Sequence, residues 1–123
     1  MDLTTARRQL AQYVTDRLSL EPDREIFAGD LPLLVPQGIG VVFTTALAAG
    51  NDGARLCQAE LRGKFNCEAL MLERLEMLCA GMPVYGAAGF LSLTQDGAVQ
   101  LGTVREAGRL KYTFNLRLQA AFL

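Results

Sequence analysis

The sequence predicts one α+β domain over residues 1–123, a mostly antiparallel four- to five-stranded sheet with two helices packed on one face. Three observations carry that prediction. First, the chain from Leu110 onward alternates: Leu110, Tyr112, Phe114, Leu116, Leu118, Ala120 and Phe122 share one face. Lys111, Thr113, Asn115, Arg117 and Gln119 share the other, so the period is two, that of a half-buried strand. Second, two segments place apolar residues at three- and four-residue steps, the helical period. Third, two strand-like runs flank Gly50-Asn51-Asp52-Gly53, a turn whose Asn and Gly tolerate positive φ.

The elements follow in order. Leu3 to Leu20 reads as a helix, with Leu3, Ala6, Leu10, Tyr13, Val14 and Leu18 on its apolar side. Asp2 is placed to cap it, its carboxylate accepting from orphan first-turn amides, and Pro22 blocks continuation. Glu21 to Gly38 is a connection held down by Ile26, Phe27, Leu31, Leu33 and Leu34. Ile39 to Leu47 is a strand with Ile39, Val41, Phe43 and Thr45 on one face. Arg55 to Arg62 returns as its hairpin partner, with Cys57, Ala59 and Leu61 inward and Gln58, Glu60 and Arg62 outward.

Asn66 to Ala80 is the second helix, with Leu72, Leu75, Leu78 and Cys79, and Met71 beside them, as its apolar stripe. Asn66 is the expected cap, Gly81 the expected left-handed terminator and Pro83 the stop. Phe90 to Thr94 is a short strand, Gln95-Asp96-Gly97 a turn, and Ala98 to Leu101 a further short strand. Gly102 to Gly108 reads as a polar loop before the long last strand.

Composition narrows the function. The chain has 12 Lys and Arg against 13 Asp and Glu, a net charge of −1, so the attraction that drives non-specific nucleic-acid binding is weak. Its 50% hydrophobic content includes no apolar run of the ~20 residues a bilayer span needs. Near-neutrality with so many apolar residues leaves apolar surface available to a partner. Asp2, Arg7 and Arg8 do not fit a secretory leader, so the expectation is a protein that is cytosolic when made.

There is no histidine, and the three cysteines, Cys57, Cys67 and Cys79, are too widely spaced for a metal-binding pair. They read as reduced, small hydrophobes. Carboxylates that could pair for acid–base work are Asp23 with Glu25, Asp30, and Glu73 with Glu76, and all read as solvated charges. Gly38-Ile39-Gly40 and Gly86-Ala87-Ala88-Gly89 precede strands rather than open helices, so they fit close backbone contacts and turns, not phosphate cradles. Ser19 and Ser92, the only serines, lie in no nucleophile elbow. The tyrosines and phenylalanines form no basic–aromatic stripe for base stacking. The residues point away from an enzyme and require no cofactor.

Two surfaces carry the functional expectation: the polar face of the last strand, with Lys111, Asn115 and Arg117, and the loop from Thr103 to Gly108, with Arg105 and Glu106 at its tip.

Two short motifs then matter. One is Phe27-Ala28-Gly29-Asp30-Leu31-Pro32. The other is Leu101-Gly102, four residues, then Ala107-Gly108-Arg109 running into Leu110-Lys111-Tyr112-Thr113-Phe114-Asn115-Leu116. With the element order, they resemble the small tailed-phage proteins called minor capsid or tail-terminator proteins. In that family an acidic residue often directly precedes the Gly-Arg pair; here Ala107 stands between Glu106 and Gly108.

The resemblance implies a structural protein that assembles into a six-fold ring at the head-proximal end of the tail, on the tail-tube protein, and offers a docking face to the head connector. It implies no catalysis and no cofactor, a monomer in isolation being compatible with a ring formed only on the tube. The expected place is the bacterial cytoplasm during assembly and the tail end of the virion afterwards. Ring contacts are expected from the Gly29–Gln37 segment, through Asp30 and Gln37, and from Thr103, Arg105, Glu106 and Arg109, with Lys111, Asn115 and Arg117 beside them. The alternatives are another head–tail connector or tail-tube component, the latter disfavoured by the short hairpin read above, and a small binding module.

Overall fold

The computed structural model describes residues 1–19, 25–32, 35–44, 48–49 and 53–123. Its elements are α1 (Leu3–Leu18), β1 (Ile26–Phe27), β2 (Gly38–Phe43), β3 (Ala48–Ala49), β4 (Arg55–Phe65), α2 (Glu68–Ala80), β5 (Val84–Tyr85), β6 (Phe90–Gln95), β7 (Gln100–Glu106) and β8 (Arg109–Phe122). The class is α+β with two helices and a mostly antiparallel sheet, as expected. The sheet has eight strands among the described residues rather than four or five, ordered β1-β2-β4-β8-β6-β5, with β3 on β4 and β7 on β8. The extra strands are chiefly two-residue pieces with no periodicity to detect, and β1 is the one parallel neighbour.

β8 is the axis of the sheet. Along one side it pairs with β4 from Arg55↔Phe122 to Phe65↔Tyr112. Along the other it pairs first with β6 and then with β7. Its alternation places Phe114, Leu116, Leu118, Ala120 and Phe122 in the core as expected. Cys57, Ala59 and Leu61 of β4 and Ile39 and Val41 of β2 lie in the same core. A bulge between Phe90 and Ser92 lets both Phe90 and Leu93 face inward, where an unbroken strand would turn one of them out. Gly63 lies opposite Phe114, and the Phe114 ring occupies the space a side chain at 63 would need.

Both helices bury one stripe in this core. α1 contributes Ala6, Leu10, Val14 and Leu18, and the Asp2 carboxylate accepts from Thr5 N at 2.7 Å, the expected cap. The helix ends at Leu18, not Leu20, because Ser19 adopts a left-handed conformation. α2 contributes Met71, Leu75 and Leu78, while Leu72, expected in the stripe, is 42% exposed. α2 also starts later than expected. Asn66 does not cap it, since its side chain is drawn to Lys111, and Cys67 holds the cap position with no side-chain bond. Gly81 ends the helix with φ −80°, not the left-handed conformation expected.

Three further expectations change. β4 runs on from Arg62 to Phe65. The expected polar loop from Gly102 is mostly strand: β7 runs to Glu106 and turns through Ala107 and Gly108 alone. Tertiary pairing to the exposed end of β8 makes it a strand without any buried face of its own. Leu110, expected inward, is 38% exposed, because it lies beyond the end of β4. Leu33, Leu34, Thr45, Ala46, Leu47, Pro22, Asp23 and most of the Gly50–Gly53 turn lie outside the described residues. Among the described residues no helix is long and apolar enough to cross a membrane.

Candidate functional site

The cross-strand register sorts side chains onto two faces, since residues paired directly across a ladder point the same way. Phe114 and its partners face the helices. The opposite face receives Glu60 with Arg117, Arg62 with Asn115, and Lys64 with Thr113 from β4 and β8. It also receives Gln100, Gly102, Val104 and Glu106 from β7, paired with Asn115, Thr113, Lys111 and Arg109. The helices leave this face open.

The Glu25–Leu31 segment crosses its β2 end. Gly38 and Gly40 permit the crossing: a Cβ on Gly38 would stand 2.7 Å from Glu25 O, and one on Gly40 2.7 Å from Gly29 O. The close-backbone reading of Gly38-Ile39-Gly40 is therefore the one the structure displays. The crossing brings Asp30 over β4, where Arg62 Nη1 donates to its Oδ1 at 2.9 Å.

From there the charges interlock. Arg62 Nη2 donates to Glu60 Oε2 at 2.8 Å, Asn115 Nδ2 donates to Glu60 Oε1 at 3.1 Å, and Arg117 Nε lies 3.8 Å from Glu60 Oε1. Lys64 Nζ donates to Glu106 across the sheet at 3.0 Å. Glu60 is buried, which by itself would raise its pKa. The hydrogen bonds from Arg62 and Asn115, with the positive charges of Arg62 and Arg117, outweigh burial and hold it below the ordinary glutamate value. Arg62 is raised in turn, first by its hydrogen bond to Glu60.

Lys111 departs furthest from the expected solvated face. It is 5% exposed, and its Nζ donates to Pro36 O at 2.9 Å and to Asn66 Oδ1. A buried ammonium needs such acceptors to offset lost hydration. Gln37 stands beside this pair, its Oε1 accepting from Asn66 N at 3.4 Å.

Of the residues expected to form an interface, Asp30, Glu106, Arg109, Lys111, Asn115 and Arg117 thus belong to one face, with Gln37 at its margin. Thr103 and Arg105 do not: they pair with Tyr112 and Leu110 and point to the helix side. Sequence reasoning left out Glu60, Arg62 and Lys64. The signal was present, since three ionisable residues at steps of two on β4 match polar residues at steps of two on β8, but only the register brings them side by side.

A groove of about 410 Å³ opens on this face, with Arg62 and Lys64 on one wall, Gln100 and Gly102 on the other, and Thr113 and Asn115 between them. Asn115 Oδ1 is buried beside this groove with no hydrogen-bond partner among the described residues. The three carboxylates Asp30, Glu60 and Glu106 are each ion-paired, which fixes a pattern of both signs suited to recognition. Among the described residues no cluster of side chains could hold a metal ion. No family model matches the chain, and no curated protein matches it.

Proposed function

We propose that this chain is a structural assembly protein of the tailed-phage tail-terminator type, whose open sheet face docks on a partner in the tail or head connector. The observation that carries the reading is that face: a groove flanked by paired charges of both signs. Complementary charge steers encounter and fixes orientation, which a protein that must seat on one end of a tube requires. The short motifs around Asp30 and around Gly108-Arg109 support the same reading. They frame the face: Asp30 is held by Arg62, and Arg109 lies across the β7–β8 ladder from Glu106. In this proposal the partners are copies of the chain, a tail-tube protein and a head-connector protein.

The test is electron microscopy of purified protein added to tail tubes from the phage or prophage that encodes it. Wild-type protein is expected at tube ends, and Arg117→Glu combined with Asp30→Lys is expected to abolish that decoration while the protein stays folded. Bare tube ends with wild-type protein would overturn the reading, as would a gene neighbourhood made of a metabolic operon.

A tail-tube component is the second reading, favoured by one observation. The β7–β8 hairpin has seven paired positions, from Gln100↔Asn115 to Glu106↔Arg109, and a tube subunit is expected to carry a long hairpin. Spontaneous growth of the purified protein into long tubes would mark that alternative.

A further inference from the structure

β7 lies at a margin of the sheet. Among the described residues it pairs with β8 alone, while β1 and β5, at the two ends of the sheet order, are two residues each. Proteins ordinarily blunt an exposed edge with proline, lysine, a bulge or a covering element. β7 has no proline or lysine, keeps unbroken register with β8, and is exposed from Gln100 to Arg105. Its residues from Gln100 to Val104 are uncharged.

The register fixes which backbone groups face outward. Glu106 and Arg109 flank a two-residue turn and so form a hydrogen-bonded pair, and such pairs alternate with non-bonded ones along an antiparallel ladder. Gln100, Gly102 and Val104 therefore bond to β8, and Leu101, Thr103 and Arg105 direct N–H and C=O away from it. The bond from Asp96 N to Arg117 O, 2.9 Å, has the same parity, since odd-numbered residues of β8 turn their backbone groups to this side. The side chains of Leu101, Thr103 and Arg105 point to the helix side, because Leu101 lies opposite Phe114 of the core. There a groove of about 320 Å³ separates Glu68, Met71 and Leu72 of α2 from Leu101 and Thr103. Leu72 is 42% exposed and Leu101 59%. Arg105 and Glu68 are exposed with no ion pair among the described residues.

We propose that β7 receives an extended segment of a different protein, which adds to the sheet as an antiparallel strand. A strand about 4.8 Å outside β7 runs along the groove and covers both leucines. Main-chain bonds to Leu101, Thr103 and Arg105 supply the affinity, and alternate side chains supply the selectivity. The partner residues opposite these three face α2. A large apolar residue suits the place opposite Leu101, a β-branched one that opposite Thr103, and an acidic one that opposite Arg105. Glu68 repels an acid placed on the groove. On the other face an aromatic residue opposite Gly102 covers the bare backbone there. Read along the partner, the pattern is acidic, any, β-branched, aromatic, large apolar.

A second copy of this chain does not fit. Its β1 and β5 are too short, and the outward positions of its β7 hold leucine, threonine and arginine. No antiparallel β7–β7 register therefore sets an acid opposite Arg105. The proposal uses neither the charged face nor the partner proposed for it, so it goes beyond the reading above.

The probe is the peptide acetyl-Lys-Glu-Val-Thr-Tyr-Leu-Lys-amide, matched in length to β7 and titrated to about 1 mM while amide exchange is followed by NMR. It is expected to bind with a Kd of about 0.1 mM and, at 1 mM, to slow exchange of the Leu101, Thr103 and Arg105 amides about tenfold. The Gly102 and Val104 amides, already bonded to β8, are expected to stay unchanged. N-methylation of the peptide's threonine, which faces β7, is expected to weaken binding about tenfold or more, and N-methylation of its valine, which faces away, to leave it within about twofold. Thr103→Pro removes an N–H that only the added strand uses, so the variant is expected to fold and not to bind. Arg105→Glu is expected to weaken binding severalfold, with recovery when lysine replaces the peptide's glutamate.

No binding at about 1 mM would overturn the proposal. So would Leu101, Thr103 and Arg105 amides already protected in the protein alone. Equal loss from the two N-methyl groups, or a folded Thr103→Pro that binds as wild type does, would show that the peptide does not pair with the edge and would overturn it as well.

Discussion

Cys57, Cys67 and Cys79 occupy a buried, an exposed and an intermediate position. Burial pushes the Cys57 thiol up to about 11 and raises Cys79 as well. The thiolate is the reactive form, so exposure and pKa act in the same direction here. A thiol reagent at mildly alkaline pH is expected to modify Cys67 first and Cys57 only as the protein unfolds; labelling of Cys57 at the Cys67 rate would contradict its placement. Phe114 is 2% exposed and covers Gly63, so one contact serves two strands. Phe114→Ala is expected to cost about 3–5 kcal/mol in urea denaturation, the range for losing a core aromatic. Gly63→Ala is expected to cost roughly 1–3 kcal/mol, because the ring has to move for the added methyl. A neutral Gly63→Ala would show that the ring does not lie where described.

Among the elements, β7 is a seven-residue strand that is exposed along almost its whole length. Every residue of β7 is exposed except Glu106, which is partly covered. Such a strand has no buried face, and the period-two apolar pattern that identified β8 is absent from it. Its turn is two residues, Ala107 and Gly108, with φ of 50° and 77°. Positive φ at both positions is the primed hairpin geometry, which favours Asn-Gly and penalises Ala at the first place. Ala107→Asn is expected to stabilise the protein by about 0.5–1 kcal/mol, read as a higher urea midpoint at unchanged slope. A fall in the midpoint would mean that the turn is not of this kind. α2 teaches a related point. Leu72 fits the helical period as well as Leu75 does, yet only Leu75 meets the sheet, and Leu72 is left on the side facing β7.

At the scale of the whole molecule, the sheet separates an apolar face under two helices from a charged face without them. The charged face links stability to pH through Glu60. Its folded pKa lies below the ordinary 4.5, so its contribution is complete above that value and disappears as pH falls through the lower, folded one. Acidification is expected to lower the wild-type urea midpoint more than that of Glu60→Gln, with the two curves converging in strong acid; parallel curves would contradict the depressed pKa. The sequence by itself determined what depends on neighbours along the chain. It set the apolar stripe of α1, most of that of α2, the Asp2 cap, the β2–β4 hairpin and the inward face of β8, because periodicity and capping are local and the hydrophobic effect needs only a face to bury. Only the tertiary structure decided that residues 102–106 are a strand, that Lys111 is buried, that Asp30, Arg62 and Glu60 join in one network, and that Lys64 pairs with Glu106 on the same face. Each of those depends on which strand or segment lies alongside, on the register that sets Arg62 beside Asn115 and on the crossing that brings Asp30 to Arg62, and no local pattern encodes either.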